Sequence, residues 1–222
     1  MKKVKFCILM LMVVLLGFLF VKLNINAKVI NSELIYLDPG HGGEDSGGTS
    51  KNGTCEKNIN LSICYYLKEF LENSGYSVKM TRYTDCDLAS INSKNRKNED
   101  ILKRVDLINK SNAILYLSIH CNKYQNEQIK GSQTFYNSSN DCNKELATSI
   151  QSFLTIILKN TDRSAHSIKD KYLIDNVTKV GCLTEVGFLS NPKEEQLLTQ
   201  EKYQKEVAYA IYLGIINYLS NK

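Results

Sequence analysis

Short apolar runs that end at turn residues alternate along this chain with longer segments of helical period, and that alternation restricts it to a narrow set of folds. Residues 34–37 are followed by Asp38-Pro39-Gly40, which reads as a strand and its stop, and then by a glycine-rich loop from His41 to Gly53. Ile59, Ile63, Tyr66, Leu67, Phe70 and Leu71 recur at the spacing of one helix face, and Gly75 supplies the stop. Residues 78–82 form a second expected strand. A polar loop through Arg96 leads to a helix expected to carry Ile101, Leu102, Val105 and Ile108 on one face. Residues 113–119 are almost continuously apolar, as a strand covered on both faces must be. A strand over 132–136, a helix over 146–158 after Ser138-Ser139-Asn140, a strand over 182–186 and a helix over 201–219 complete the series. The last helix turns Val207, Ile211, Gly214, Ile215 and Tyr218 inward. Strands separated by helices predict an α/β fold: a single domain with a mainly parallel, twisted sheet flanked by helices on both faces.

Residues 1–27 follow a different rule. Lys2, Lys3 and Lys5 precede an unbroken apolar run over 6–21, the order of charge and apolarity that marks an export segment. Sixteen helical residues span about 24 Å at ~1.5 Å per residue, a little less than the ~30 Å hydrocarbon core, and Leu23 and Ile25 extend the run past Lys22. Cleavage requires small residues at both positions of an A-x-A site, and Ile25-Asn26-Ala27 places isoleucine at the first. The expectation is an N-terminal apolar anchor helix (a signal-anchor) over 1–27, a tether over 28–33 and a domain over 34–222, extracytoplasmic and held at the membrane. Cleavage near residue 27 would instead release a secreted domain. The formal net charge of +5 belongs to this segment: without Lys2, Lys3, Lys5 and Lys22, residues 28–222 carry only +1. That is too little for binding a phosphate backbone, so no nucleic-acid partner is expected.

Cys7 lies in the apolar run, and the other cysteines are Cys55, Cys64, Cys86, Cys121, Cys142 and Cys182. None forms a C-x-x-C pair, which excludes a readable zinc ribbon or dithiol redox motif. Outside the cytosol they could pair as disulfides, but spacing does not say how. Most are expected to be free, small, half-buried residues.

In parallel sheets the site collects outside the carboxyl ends of the strands. His41 follows the first expected strand, His120 ends the third and Glu185 ends the last, so two of the three histidines in the chain fall at that edge. Two neutral imidazoles and a carboxylate are a usual ligand set for catalytic zinc, which leaves one position for water. Glu56, opening the first long helix, is a candidate ligand, and Glu185 is a second carboxylate within reach of His120. One carboxylate would bind the metal and the other would move a proton. Glu44 and Asp45, in the loop with His41, compete with Glu56, although solvated carboxylates in a turn are their more ordinary role. His166 fits no site and is expected to be structural.

The segments Leu37-Asp38-Pro39-Gly40-His41-Gly42-Gly43, Ser118-Ile119-His120-Cys121-Asn122 and Thr184-Glu185-Val186-Gly187-Phe188-Leu189-Ser190-Asn191 resemble the three signature blocks of the zinc-dependent N-acetylmuramoyl-L-alanine amidases of type 3. Arg104-Val105 and Gly131-Ser132-Gln133-Thr134-Phe135-Tyr136 match intervening stretches, and the resemblance extends over about residues 34–220. It implies Zn2+ held by His41, Glu56 and His120, with Glu185 as catalytic acid/base. It also implies hydrolysis of the amide between N-acetylmuramic acid and L-alanine in peptidoglycan, glycan strands with stem peptides being the substrate. The plan of an export segment followed by a bare catalytic domain is most similar to the spore-cortex, germination-specific subgroup, which prepares muramic-δ-lactam formation. An accessory protein partner is compatible with that plan. Two other readings stay open: a non-catalytic or partner-activated wall-binding module on the same fold, and a cysteine peptidase using Cys121 or Cys55. Cys121 stands where such amidases commonly carry alanine. As the strand neighbour of His120 its side chain is expected to point the other way.

Overall fold

In the computed structural model, residues 33–222 are described. The anchor expected over 1–27, and all of the tether but residue 33, lie outside the described residues. Among the described residues no helix is long and apolar enough to cross a membrane.

Strand β1 (Leu34–Pro39) is buried along its whole length and sorts the core into two halves. Ile35 and Leu37 face the layer built by α1 (Glu56–Asn73), α3 (Asp141–Leu158) and α6 (Glu201–Ser220). Leu34 and Tyr36 face Val105 and Ile108 of α2 (Arg96–Lys110) and Leu173 of α4 (Tyr172–Asn176). Period-two alternation along a strand buried on both sides produces this division. With β2 (Ser77–Met80), β3 (Leu115–Asn122), β4 (Gln133–Tyr136), β5 (His166–Ser167) and β6 (Val180–Phe188) it forms a sheet in the order β2-β1-β3-β6-β4-β5. β4 runs antiparallel to β6, and every other pairing is parallel. The carboxyl ends of β1, β3 and β6 therefore share one edge, and in the register His120 stands opposite Glu185.

Several boundaries differ from expectation for local reasons. β1 continues through Asp38-Pro39, because β3 still pairs there while pairing with β2 has ended at Leu37. The carbonyl of Pro39 accepts from Arg82 and Arg104 instead. Leu102 points to solvent: Arg104, Val105 and Ile108 form the buried stripe of α2, and Leu102 lies off it. α3 starts at Asp141 because the Asn140 side chain caps it by accepting from the Cys142 amide. β5, α4 and the seven-residue α5 (Pro192–Leu198) have too few residues to show a period. The Asn191 side chain caps α5 by accepting from the Lys193 and Glu194 amides, and Pro192 occupies its first turn.

One buried ion pair ties α2 to the end of β1 at the site edge. Asp38 lies 2.8 Å from Nη1 of Arg104 and accepts from Ser118 Oγ at 2.6 Å and Thr81 Oγ1 at 2.7 Å. Burial would raise its carboxyl pKa, but the Arg104 charge and the two hydroxyls outweigh it and hold the value at about 2. The folded pKa lies below the ordinary 3.8, so this stabilisation is fully present above pH ~4 and is lost as pH falls through 2. At ~1.4 kcal/mol per pH unit the shift is worth about 2 kcal/mol. Asp38→Asn is expected to destabilise the metal-free protein by about 3 kcal/mol at neutral pH, since the buried Arg104 keeps Asp100 as its one remaining carboxylate partner. Denaturation curves should show the gap between the two proteins narrowing by about 2 kcal/mol between pH 4 and pH 2. A gap that stays constant over that range would remove the ion pair from the account.

Candidate metal centre

The loop after β1 has a backbone that two buried arginines clamp. Arg104 donates from Nη1 to the Pro39 carbonyl at 2.8 Å and from Nη2 to the His41 carbonyl at 2.7 Å. Arg82 donates from Nε to the same Pro39 carbonyl at 3.0 Å and from Nη2 to the Gly40 carbonyl at 3.1 Å. Held in this way, His41 adopts a left-handed φ of 62°, which is strained for a residue with a Cβ. Its ring then turns toward the sheet edge. The ring of His120 lies directly over Gly40, where a Cβ would come within 2.1 Å of Cε1. The two rings meet edge to face with centroids 4.9 Å apart.

Glu56, the first residue of α1, joins them. Its Oε1 lies 2.9 Å from His120 Nδ1 and 3.3 Å from His41 Nε2. The same oxygen accepts from the Cys121 amide at 3.0 Å and from Asn60 Nδ2 at 3.2 Å, while Oε2 accepts from the Gly48 amide at 2.7 Å. Burial opposes ionisation, but the imidazoles beside it win and hold the carboxyl far below the usual carboxylate range. Gly47 makes the approach possible: at its φ of +66° an added Cβ would lie 2.6 Å from both Glu56 Oε2 and His41 Cδ2. One nitrogen of each histidine and a Glu56 oxygen all lie within 4.8 Å of one another. A tetrahedral ion with ligand bonds of ~2.1 Å needs donor separations of roughly 3.4 Å, so small side-chain rotations suffice. Two imidazoles, one carboxylate and an open side make a donor set that fits zinc.

Asp45 has a larger part than a solvated turn residue. Its Oδ2 lies 2.8 Å from His41 Nδ1, which leaves Nε2 turned toward Glu56. A carboxylate behind a metal-facing imidazole fixes the tautomer and the ring angle. Position four residues after a histidine carries no sequence signal of its own, and the contact arises from the clamped loop. Glu44, the other competitor, is exposed and lies 3.7 Å from Arg96.

Glu185 lines the same cleft, of about 460 Å³. Its Oε2 is buried without a hydrogen-bond partner among the described residues. Burial pushes its carboxyl up to about 7, with the His120 imidazole opposing and the Glu56 carboxylate adding to the rise. Cys121 turns into the core against Asn60 Oδ1 at 3.5 Å, and burial drives its thiol well above the ordinary value. Cys55 donates to the Gly53 carbonyl. Neither thiol is hydrogen-bonded to a histidine, so the geometry gives no cysteine nucleophile a base. The six cysteines of the described residues are all free. His166 is exposed on β5 against Phe135, apart from the centre.

Comparison with known proteins shows the family. A family model described as N-acetylmuramoyl-L-alanine amidase matches residues 35–217. The chain belongs to the N-acetylmuramoyl-L-alanine amidase family. It is 45% identical over 196 residues to the germination-specific N-acetylmuramoyl-L-alanine amidase of Bacillus subtilis (strain 168), covering 87% of this chain and 82% of the relative. Among solved structures it is similar to the CwlD amidase from Clostridioides difficile in complex with the GerS lipoprotein. That likeness has a TM-score of 0.84 and 40% identity, over 86% of this chain and 100% of that one. The catalytic domain of CwlV from Bacillus (Paenibacillus) polymyxa var. colistinus matches with a TM-score of 0.75 and 29% identity, over 86% and 99% of the two chains. This amidase is therefore a peptidoglycan hydrolase whose sheet edge carries the His-Glu-His cluster described above.

Because Asp45 orients His41, Asp45→Ala is expected to weaken Zn2+ binding by about 10–100-fold, measured by competition with a coloured chelator. Unchanged affinity would show that the hydrogen bond does not tune the centre.

Proposed function

We propose that the amidase hydrolyses the bond between N-acetylmuramic acid and L-alanine with Zn2+ held by His41, Glu56 and His120, and with Glu185 as acid/base. The observation that carries this reading is the convergence of three metal-competent side chains with a buried, unpartnered carboxylate oxygen in one cleft. A bound Zn2+ supplies Lewis-acid polarisation and an acidified water at neutral pH. Asp45 holds the His41 ring in place, and Gly48 and Cys121 hold the Glu56 carboxylate through their amides. Glu185 accepts the proton of the attacking water as its oxygen bonds to the lactyl carbonyl carbon. It returns that proton to the L-alanine nitrogen as the carbon–nitrogen bond breaks. A carboxyl pKa lifted toward neutrality suits a group that must both take and give a proton.

The biological setting follows from the relatives and from the N-terminus. Likeness to a germination-specific amidase supports a role in spore-cortex processing, in which peptide removal precedes muramic-δ-lactam formation. The lysine-flanked apolar run over 6–21 supports an extracytoplasmic, membrane-anchored enzyme. The relative solved with a lipoprotein supports an accessory protein partner outside the membrane.

Glu185→Gln should retain zinc, measured by metal analysis of the purified protein, and lower turnover by at least ~10²-fold. Cys121→Ala should retain activity, and mass spectrometry of digested peptidoglycan should show released peptides that begin with L-alanine. Near-normal turnover in the glutamine variant would end the acid/base assignment. A wild-type protein with neither zinc nor hydrolysis would favour a non-catalytic wall-binding module.

A further inference from the structure

The catalytic cleft contains charge that bond breaking does not use. Its lining includes three lysines, Lys97, Lys123 and Lys171, and its only acids are Glu56 and Glu185. This is not the overflow of a basic domain, since residues 28–222 carry a net charge of only +1. Lys97 is partly neutralised, with its ammonium 3.6 Å from Asp45. Lys123 and Lys171 are exposed and form no ion pair with any described residue.

Both lysines are placed by the elements that place the centre itself. Lys123 follows β3 three residues after His120. Its stem lies on Gly48, whose added Cβ would be 3.3 Å from Lys123 Cβ and 3.3 Å from Glu56 Oε2. The lysine thus arches over the side of the cleft that holds Glu56. Lys171 precedes the first turn of α4, where its amide donates to Asp175 at 3.0 Å. It is close enough to Glu185 for its charge to act on that carboxyl. Two uncompensated cations therefore flank the reacting position, one on the Glu56 side and one on the Glu185 side. In a cleft with low-dielectric walls they concentrate a field that attracts anions.

We propose that Lys123 and Lys171 bind carboxylates of the stem peptide beyond L-alanine, so that the amidase selects an acidic stem over an amidated one. This rests on the hydrolytic reading above, because the peptide must leave the scissile bond between the two lysines. A charge-assisted contact of this kind contributes more when the carboxylate is free than when it is a carboxamide. It also weakens with salt, because the lysines are exposed.

The test uses the full-length, zinc-loaded protein and two N-acetylmuramoyl peptides that differ only in whether the acidic residue after L-alanine is a free acid or a carboxamide. The wild type is expected to favour the free acid by about fivefold or more in kcat/KM, chiefly through KM, and to lose much of that preference in concentrated salt. Lys123→Gln combined with Lys171→Gln should bring the ratio of the two substrates close to one, while Lys→Arg at both positions should preserve it. Any change that Lys171→Gln makes to Glu185 falls on both substrates alike and leaves the ratio untouched. Zinc content measured alongside separates lost recognition from a damaged centre. Equal rates on the two substrates in the wild type, or a preference that survives the double glutamine variant, would overturn the proposal. Hydrolysis of neither substrate would instead overturn the amidase chemistry on which it rests.

Discussion

A single buried carboxylate organises this molecule at its working edge. Glu56 receives both imidazoles, the amides of Gly48 and Cys121, and the side chain of Asn60. Those groups come from the loop after β1, from the strand end of β3 and from α1, so three separate parts of the chain meet at two oxygens. A charge removed from water in this way is tolerable only when its partners are complete. The cluster is therefore a folding constraint as much as a chemical one. A divalent ion would take over part of the same attraction, since the imidazoles and the carboxylate are already turned toward one another.

Behind that cluster lies a support of buried guanidinium and carboxylate groups. Arg82 and Arg104 hold three successive carbonyls, those of Pro39, Gly40 and His41, while Asp38 and Asp100 hold Arg104 in turn. A loop on its own would be too mobile to keep His41 at a left-handed φ. The buried guanidinium groups convert it into an extension of the sheet. Function here sits on loops at the carboxyl edge, as parallel sheets arrange it, but the precision comes from ion pairs in the core below.

The main elements were legible because their signals are periodic and long. The helix over α1, the continuous apolar strand β3 and the inner face of α6 each repeat a spacing many times. His41, His120 and Glu185 were legible as a group because each follows or ends an apolar run. Asp45, Arg82 and the partnership of Asp38 with Arg104 were not. Their contacts join residues 4 to 66 positions apart, and nothing local in the sequence distinguishes them from ordinary turn or surface charges. Leu102 illustrates the same limit at smaller scale: apolar composition placed it inside, whereas the angle around α2 places it outside. Glu56 shows the opposite balance, because its position at a helix start and its grouping with the two histidines were readable, while the Gly48 and Cys121 amides and the Asn60 side chain that hold it were not.

The proposed chemistry needs one ion shared by three side chains at the carboxyl edge of the sheet. Anomalous diffraction at the zinc absorption edge, from crystals grown with one equivalent of Zn2+, tests it most directly. A single strong peak is expected about 2.0–2.2 Å from one nitrogen of His41, one nitrogen of His120 and an oxygen of Glu56, with its open side toward Glu185. A peak bound by other residues, or none in zinc-grown crystals, would contradict it.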